Sequence, residues 1–300
     1  MSATAIDPGF PGAGRVVREL ANISSNVKYY SRQGPLPESD YLFLPAWLPD
    51  YESIRHPKKI VVWTSSIIQS EYTPVEFEYM QTIVKLLDEG KLYALWTGAK
   101  EWLSIMGTGR RAFYCTYPLT LPTAWKTDAP RNPPKDVSLF GPLSPRKNVA
   151  VQAFAAAKAG CTLHTTDEGA HSLLDSLGLR VPPVYHGWQI PSRYHDLVCS
   201  VDVGLQCSVP GAESQSYVAW DHVSRGVPCL STVEWIDNVT AWGHSLFVRY
   251  PFDVDNLVLR IQLAATSLPD DLRLRAEEFA KGRNKTVKAT LETELEGLHL

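Results

Sequence analysis

The sequence predicts an α/β protein whose parallel sheets are covered by helices, and three observations predict it. Short apolar runs alternate with helix-length segments from Val137 to Thr232. A less regular version of the same alternation runs from Ala13 to Tyr117. Between the two lies 121–136, LPTAWKTDAPRNPPKD, whose four prolines and scattered charges deny it both a helix and a central strand.

In chain order, Ala13–Ala21 predicts a helix, because Val16, Val17 and Leu20 share one face. Tyr41–Ala46 and Ile60–Ser65 predict strands. Pro74–Asp88 predicts a helix whose acidic first turn suits the helix dipole. Leu92–Thr97 and Ala112–Tyr117 predict strands on either side of a short helix near Lys100–Met106. No apolar run precedes Gly12, so a first strand is expected to be missing or very short there. In the second half, Val137–Phe140 is a strand, and the alanine-rich Lys147–Ala159 is a helix stopped by Gly160. Cys161–Thr166, Val184–Gly187, Val201–Cys207 and Val227–Thr232 follow as strands or strand ends. Asp167–Gly178, Pro191–Ser200 and Glu213–Arg225 are the helices between them. The expected organisation is residues 1–120 as one domain, 121–136 as a linker, 137–281 as a second domain and 282–300 as a C-terminal helix.

The formal net charge of −3 gives no whole-protein attraction to nucleic acid or anionic lipid. Five cysteines, an odd number without a C-x-x-C pair, sit mostly in apolar runs and read as buried reduced thiols. No metal-ligand spacing, Ser-His-Asp order, H-E-x-x-H or P-loop is present. No signal peptide and no transmembrane run is expected, and the location expected is cytoplasmic.

Two segments carry chemistry. In FGPLSPRKNVAVQA, residues 140–153, a strand ends at glycine and a helix opens beside Arg146 and Lys147. A helix N-terminus with added positive charge suits a phosphate, although basic residues at such a position are equally at home in water. In residues 201–232, a strand leads to Pro210-Gly211, then Glu213, and Asp221 eight residues on. Eight residues are about two helical turns, which puts both carboxylates on one helix face at a strand's carboxyl end. The alternative is an N-terminal acid favoured by the dipole and a solvated aspartate.

Taken together and in order, these segments resemble retaining GT-B glycosyltransferases, such as the bacterial phosphatidylinositol mannosyltransferases and sucrose synthase-like enzymes. FGPLSPRKN is similar to that family's G-R-L-S-P-E-K-G segment. Glu213-x7-Asp221 followed by Gly226-Val227-Pro228 resembles its E-x7-E and G-V-P. Tyr185-His186-Gly187-Trp188 resembles its strand-end glycine, and Leu246–Pro251 with Asp253 its last strand and turn. Gly12-Ala13-Gly14-Arg15 resembles its glycine-rich loop.

The resemblance implies two Rossmann-like domains of GT-B type, with the N-terminal one reduced. It implies a hexosyl- or pentosyltransferase that is retaining and metal-independent. A nucleoside-diphosphate sugar would be its co-substrate, with no further cofactor. Glu213 would lie by the transferred sugar and act in catalysis. The donor would be held by Gly12, Gly14, Arg146, Lys147, His186, Gly187, Trp188, Ser214, Gln215, Ser216 and Asp221. Of these, Lys147 would meet the diphosphate, Asp221 the ribose and residues 186–188 the nucleobase. Three departures stand against turnover. Pro142 replaces the phosphate-binding arginine, VVWTS at 61–65 lacks the histidine of many relatives, and the N-terminal part is abbreviated. A catalytically inactive nucleotide-sugar-binding or scaffolding module is the alternative. The acceptor is open among glycan, lipid, protein and the modified DNA bases that small GT-B enzymes of phages glycosylate.

Overall fold

A computed structural model describes every residue except 1, 7–12, 32–34, 47, 49–50, 72, 74, 108, 168–170, 213–214, 241–245, 297 and 299–300, with backbone only at 13, 69 and 71. The chain divides into two compact units, residues 1–120 with 280–300, and residues 121–279. Each is a Rossmann-like α/β domain.

The first unit contains β1 (Ala3–Ile6), α1 (Ala13–Ile23), β2 (Val27–Tyr30), β3 (Tyr41–Pro45), β4 (Lys59–Trp63), α2 (Ile67–Glu71), α3 (Val75–Asp88), β5 (Ala94–Thr97), α4 (Glu101–Met106) and β6 (Ala112–Tyr114). Its sheet is wholly parallel, in the order β2-β1-β3-β4-β5-β6. The strand expected to be missing or very short before Gly12 is present as the four-residue β1. Its sequence, ATAI, carries one large apolar residue, yet all four residues are buried because neighbouring strands flank it on both sides. The abbreviation expected of this domain does not extend to its first strand. The core joins Leu42, Leu44, Val61, Trp63, Leu95 and Trp102 with Met80, Ile83 and Leu86 of α3.

The second unit contains β7 (Asp136–Leu139), a 3₁₀ turn (Pro145–Lys147), α5 (Val149–Lys158), β8 (Thr162–Thr165), α6 (His171–Ser176), β9 (Val184–Tyr185), α7 (Pro191–Ser200), β10 (Val203–Gln206), α8 (Tyr217–Val223), β11 (Cys229–Ser231), a second 3₁₀ turn (Glu234–Val239) and α9 (Val254–Ala264). Its parallel sheet has the order β11-β10-β7-β8-β9. Ala153, Ala155 and Ala156 of α5 are fully buried, their small side chains letting the helix lie close to its neighbours.

Residues 121–135 form neither helix nor strand and lie against this second unit. Lys126 Nζ donates to Val201 O at 2.8 Å. Asp202 accepts from the Arg131 guanidinium at 3.0 Å and from the backbone N–H groups of Arg131, Lys135 and Asp136. Burial alone would raise this carboxyl's pKa, but Arg131 and the three N–H groups hold it below the usual range.

The C-terminal helix expected over 282–300 starts earlier, as α10 (Pro269–Glu294). Its residues up to Phe279 belong to the second unit, where Phe279 stacks on Trp235 at 5.5 Å. Its later residues belong to the first unit. There Val287 and Leu291 are buried and Arg283 Nε donates to Tyr117 O at 2.9 Å. No helix among the described residues is long and apolar enough to cross a membrane.

Candidate functional site

In an open parallel sheet, ligands bind beyond the carboxyl ends of the strands where the strand order reverses. In the second unit that point lies between β7 and β10. The chain leaves β7 toward β8 and β9 on one side, then returns to β10 and β11 on the other.

The loop after β7 is fixed from both sides. Toward β8, Gly141 N–H donates to Thr166 Oγ1 at 3.2 Å and Leu143 N–H to Asp167 Oδ2 at 2.5 Å. Toward β10, Val209 N–H donates to Arg146 O at 2.8 Å. The helix predicted from Lys147 opens instead as the 3₁₀ turn, because Asn148 adopts φ 52° and breaks the α ladder before Val149. Asn148 Nδ2 donates to Pro251 O at 2.6 Å, which anchors this conformation. Gln152, fully buried, donates to Lys147 O at 2.5 Å and accepts from Cys207 N–H at 2.8 Å.

Lys147 is 4% exposed. Its ammonium donates to Gln206 Oε1 at 3.2 Å, and Gln206 Nε2 donates to Phe140 O at 3.1 Å. A lysine drawn out of water at the reversal point of a parallel sheet is thus held by the last residue of β10. Arg146 is half-buried beside it.

The helix expected from Glu213 starts later. Ser216, at φ 35°, caps it through its Oγ, which accepts from Ala219 N–H at 3.4 Å. Helix α8 therefore begins at Tyr217. Glu213, Ser214 and Gly12 lie outside the described residues. Asp221 is 3% exposed and bonds Arg225 Nη1 at 3.4 Å, while its carbonyl accepts from the same nitrogen at 3.0 Å. It is neither the solvated aspartate nor the open, ligand-facing carboxylate that the sequence suggested. Gln215 is buried, and its carbonyl accepts from Trp235 Nε1 at 3.1 Å.

His186, Gly187 and Trp188 form a separate group at the end of β9, two strands from β7. Asp136 accepts from His164 Nε2 at 3.0 Å, and His164 Nδ1 lies 2.9 Å from His186 Nε2. The two rings are nearly coplanar, 12° apart with centroids at 5.2 Å, so they meet edge to edge. A carboxylate only accepts, so His164 donates from Nε2 and accepts at Nδ1, and His186 donates from Nε2. Burial, and then His164, lower the His186 pKa. Gly187 takes φ 64°, a conformation that favours glycine, and Trp188 is 64% exposed. An open cleft of about 330 Å³ beside His186 is lined by Gln189, Arg193, Asp196, Leu197 and Ser200.

In the first unit the strand order reverses between β1 and β3. Gly14 is buried in the first turn of α1, the helix that follows β1.

No protein-family model matches the sequence, and no curated protein matches it. Solved structures do. AviGT4, a glycosyltransferase involved in avilamycin A biosynthesis, superposes with a TM-score of 0.65 at 14% identity over 98% of this chain and 97% of its own. The Anabaena HepE protein, in complex with UDP and glucose, gives 0.62 at 15% identity over 98% and 100%. Sucrose-phosphate synthase from Thermosynechococcus elongatus gives 0.62 at 12% identity over 98% and 99%. The fold is that of a GT-B glycosyltransferase. This GT-B chain spans about half the length of TarM and of the pneumococcal O-GlcNAc transferase GtfA, which it also matches. Within the GT-B fold, Gln206, Gln152 and Asn148 are site-shaping residues that the sequence reading passed over. The available signal was Gln206 itself, an amide closing an otherwise apolar strand, VGLQ.

Proposed function

We propose that this protein transfers a sugar from a nucleoside-diphosphate donor to an acceptor, with retention of configuration and without a metal or further cofactor. The observation that carries this reading is the buried Lys147 ammonium at the reversal point of the second sheet. In this reading the second unit is the nucleotide-sugar-binding domain and the first faces the acceptor. The bond between the anomeric carbon and the diphosphate breaks, and an acceptor oxygen takes its place as its proton passes to the departing diphosphate oxygen. Lys147 and Arg146 stabilise the negative charge that develops on the departing diphosphate, in a site preorganised by the bonds to Gln206, Gln152 and Val209. Glu213 serves the transferred sugar. Residues 214–216 face the phosphates, Gly12 and Gly14 the donor sugar, and His186, Gly187 and Trp188 the base. The ribose contact expected of Asp221 is dropped, since Arg225 holds that carboxylate.

The neighbours solved with UDP, HepE and GtfA, support a nucleotide as ligand. The test is calorimetric titration with a panel of nucleoside diphosphates and their sugars, followed by product detection. Binding of at least one nucleotide, weakened about a hundredfold by Lys147→Ala, is expected. A chain that binds none of them refutes the reading. A second reading, a nucleotide-sugar-binding module without turnover, is favoured by Pro142 in place of arginine and by the Asp221–Arg225 pair. Donor hydrolysis or transfer that disappears with Glu213→Ala would exclude it.

A further inference from the structure

We infer that Gln206 is a positioning residue for Lys147, setting where the ammonium stands and so how strongly a diphosphate binds. The inference rests on the reading of Lys147 as a phosphate contact. The residue is fixed from both sides. Gln206 ends β10, which lies between β7 and β11. Its side-chain Nε2 donates to Phe140 O just past β7, and its backbone carbonyl accepts from Ser231 Oγ of β11 at 3.3 Å. The orientation of the amide is forced by chemistry. Phe140 O can only accept and the Lys147 ammonium can only donate, so Nε2 must face the former and Oε1 the latter.

Position 206 has no packing need for an amide. The other β10 residues are Val203, Gly204 and Leu205, and all four positions are buried. A buried amide is unfavourable unless its hydrogen bonds are made, and here both are made to the parts that frame the site. Lysine carries its charge on a flexible four-carbon stem, so an ammonium withdrawn from water takes its position from what accepts its hydrogen bonds.

The experiment is a double-variant cycle on the full chain, with UDP, GDP and ADP as calorimetric probes and circular dichroism as the folding control. Gln206→Met keeps the volume and removes both hydrogen bonds. It is expected to weaken diphosphate binding about tenfold, the loss typical of a hydrogen bond to a charged group. It is also expected to raise the donor KM more than it lowers kcat. In a Lys147→Ala background the same substitution should change affinity by less than about twofold, because residues acting through one another are not additive. Effects that add fully in the double variant would overturn the inference, as would a Gln206→Met protein that binds like the wild type. Side-chain 15N NMR of lysine gives a readout that needs no nucleotide. Loss of the acceptor should shift the Lys147 Nζ resonance and speed exchange of its protons with water. An unchanged resonance and exchange rate likewise overturn the inference. A wild-type protein that binds no nucleoside diphosphate refutes the proposed function instead, and the NMR arm still decides whether Gln206 holds Lys147.

Discussion

The two sheets have the same parallel architecture, yet their strand ends are finished with different chemistry. In the first unit the carboxyl ends of β4, β5 and β6 are closed by aromatic residues hydrogen-bonded to backbone. Trp102 Nε1 donates to Ser65 O at 2.8 Å, Trp96 Nε1 to Cys115 O at 2.9 Å, and the Tyr117 hydroxyl to Trp63 O. In the second unit the ends of β7 and β10 are closed by amides, Gln152, Gln206 and Asn148, and Gln206 also holds the buried ammonium of Lys147. Aromatic closure fills space and leaves no charge. Amide closure holds a charge in place. One fold thus ends its strands in neutral packing in one unit and around a buried cation in the other.

Acid should separate the units most sharply. His222 is fully buried. Its Nδ1 donates to Val218 O at 2.7 Å and its Nε2 accepts from Ser138 Oγ at 2.7 Å. Burial lowers its pKa to about 4. A histidine whose folded pKa lies below its unfolded value contributes fully above pH 6.5. That contribution is lost as pH falls toward 4, because only the unfolded chain takes up the proton. The loss should reach about 3 kcal/mol. Urea unfolding at pH 7 and pH 4.5, repeated on His222→Gln, measures it; equal losses in both proteins would contradict the assignment.

The two buried lysines offer the next contrast. Lys59 opens β4 in the first unit, where its Nζ donates to Tyr51 O at 2.8 Å and burial lowers its pKa. Lys147 stands at the opposite, carboxyl end of its sheet. Lys147→Met should weaken nucleotide binding about a hundredfold, whereas Lys59→Met should leave it unchanged. Calorimetry on both variants would erase the contrast if the two behaved alike.

Glycines give a smaller effect that should be the same in both units. A Cβ at Gly98 would stand 2.3 Å from the Tyr117 ring, and one at Gly204 would stand 2.5 Å from His222. Each Gly→Ala change should cost about 1–3 kcal/mol in chemical denaturation. A neutral result at either position would mean that its ring moves aside freely. Smallest of all, Trp188→Ala should shift stability by less than about 0.5 kcal/mol, because its side chain lies mostly in water. If its ring stacks on a nucleobase, nucleotide affinity will fall even though the melting temperature does not.

The second unit was the more legible in the sequence, for a physical reason. Its strands are apolar runs punctuated by Gly160 and Gly226, both at positive φ, so its alternation stands out. In the first unit β1 escaped notice because its small residues give no hydrophobic signal, although burial between two strands makes it a core element. The helix expected from Lys147 starts two residues later, since the left-handed turn at Asn148 leaves no mark in composition. The Glu213–Asp221 spacing suggested a shared helix face. The Ser216 cap, in a run with no proline or glycine between Glu213 and Arg225, starts that helix at Tyr217 instead. Pairings such as Asp221 with Arg225, or Gln206 with Lys147, depend on where side chains meet after folding.

Helix α10 bears on the order in which the protein is made. Residues Arg283 and Asn284 satisfy the backbone of Tyr117 and Leu119, the Tyr41 hydroxyl donates to Glu296 O at 2.8 Å, and Leu291 and Leu295 complete the first unit's core. The first unit is begun early in translation, but these contacts become available only after residues 121–279 have left the ribosome. A chain emerging N-terminus first must therefore hold an unfinished core while the second unit folds. For the same reason, a fragment ending at residue 120 lacks the partners of the Tyr117–Leu119 backbone that follows its last strand.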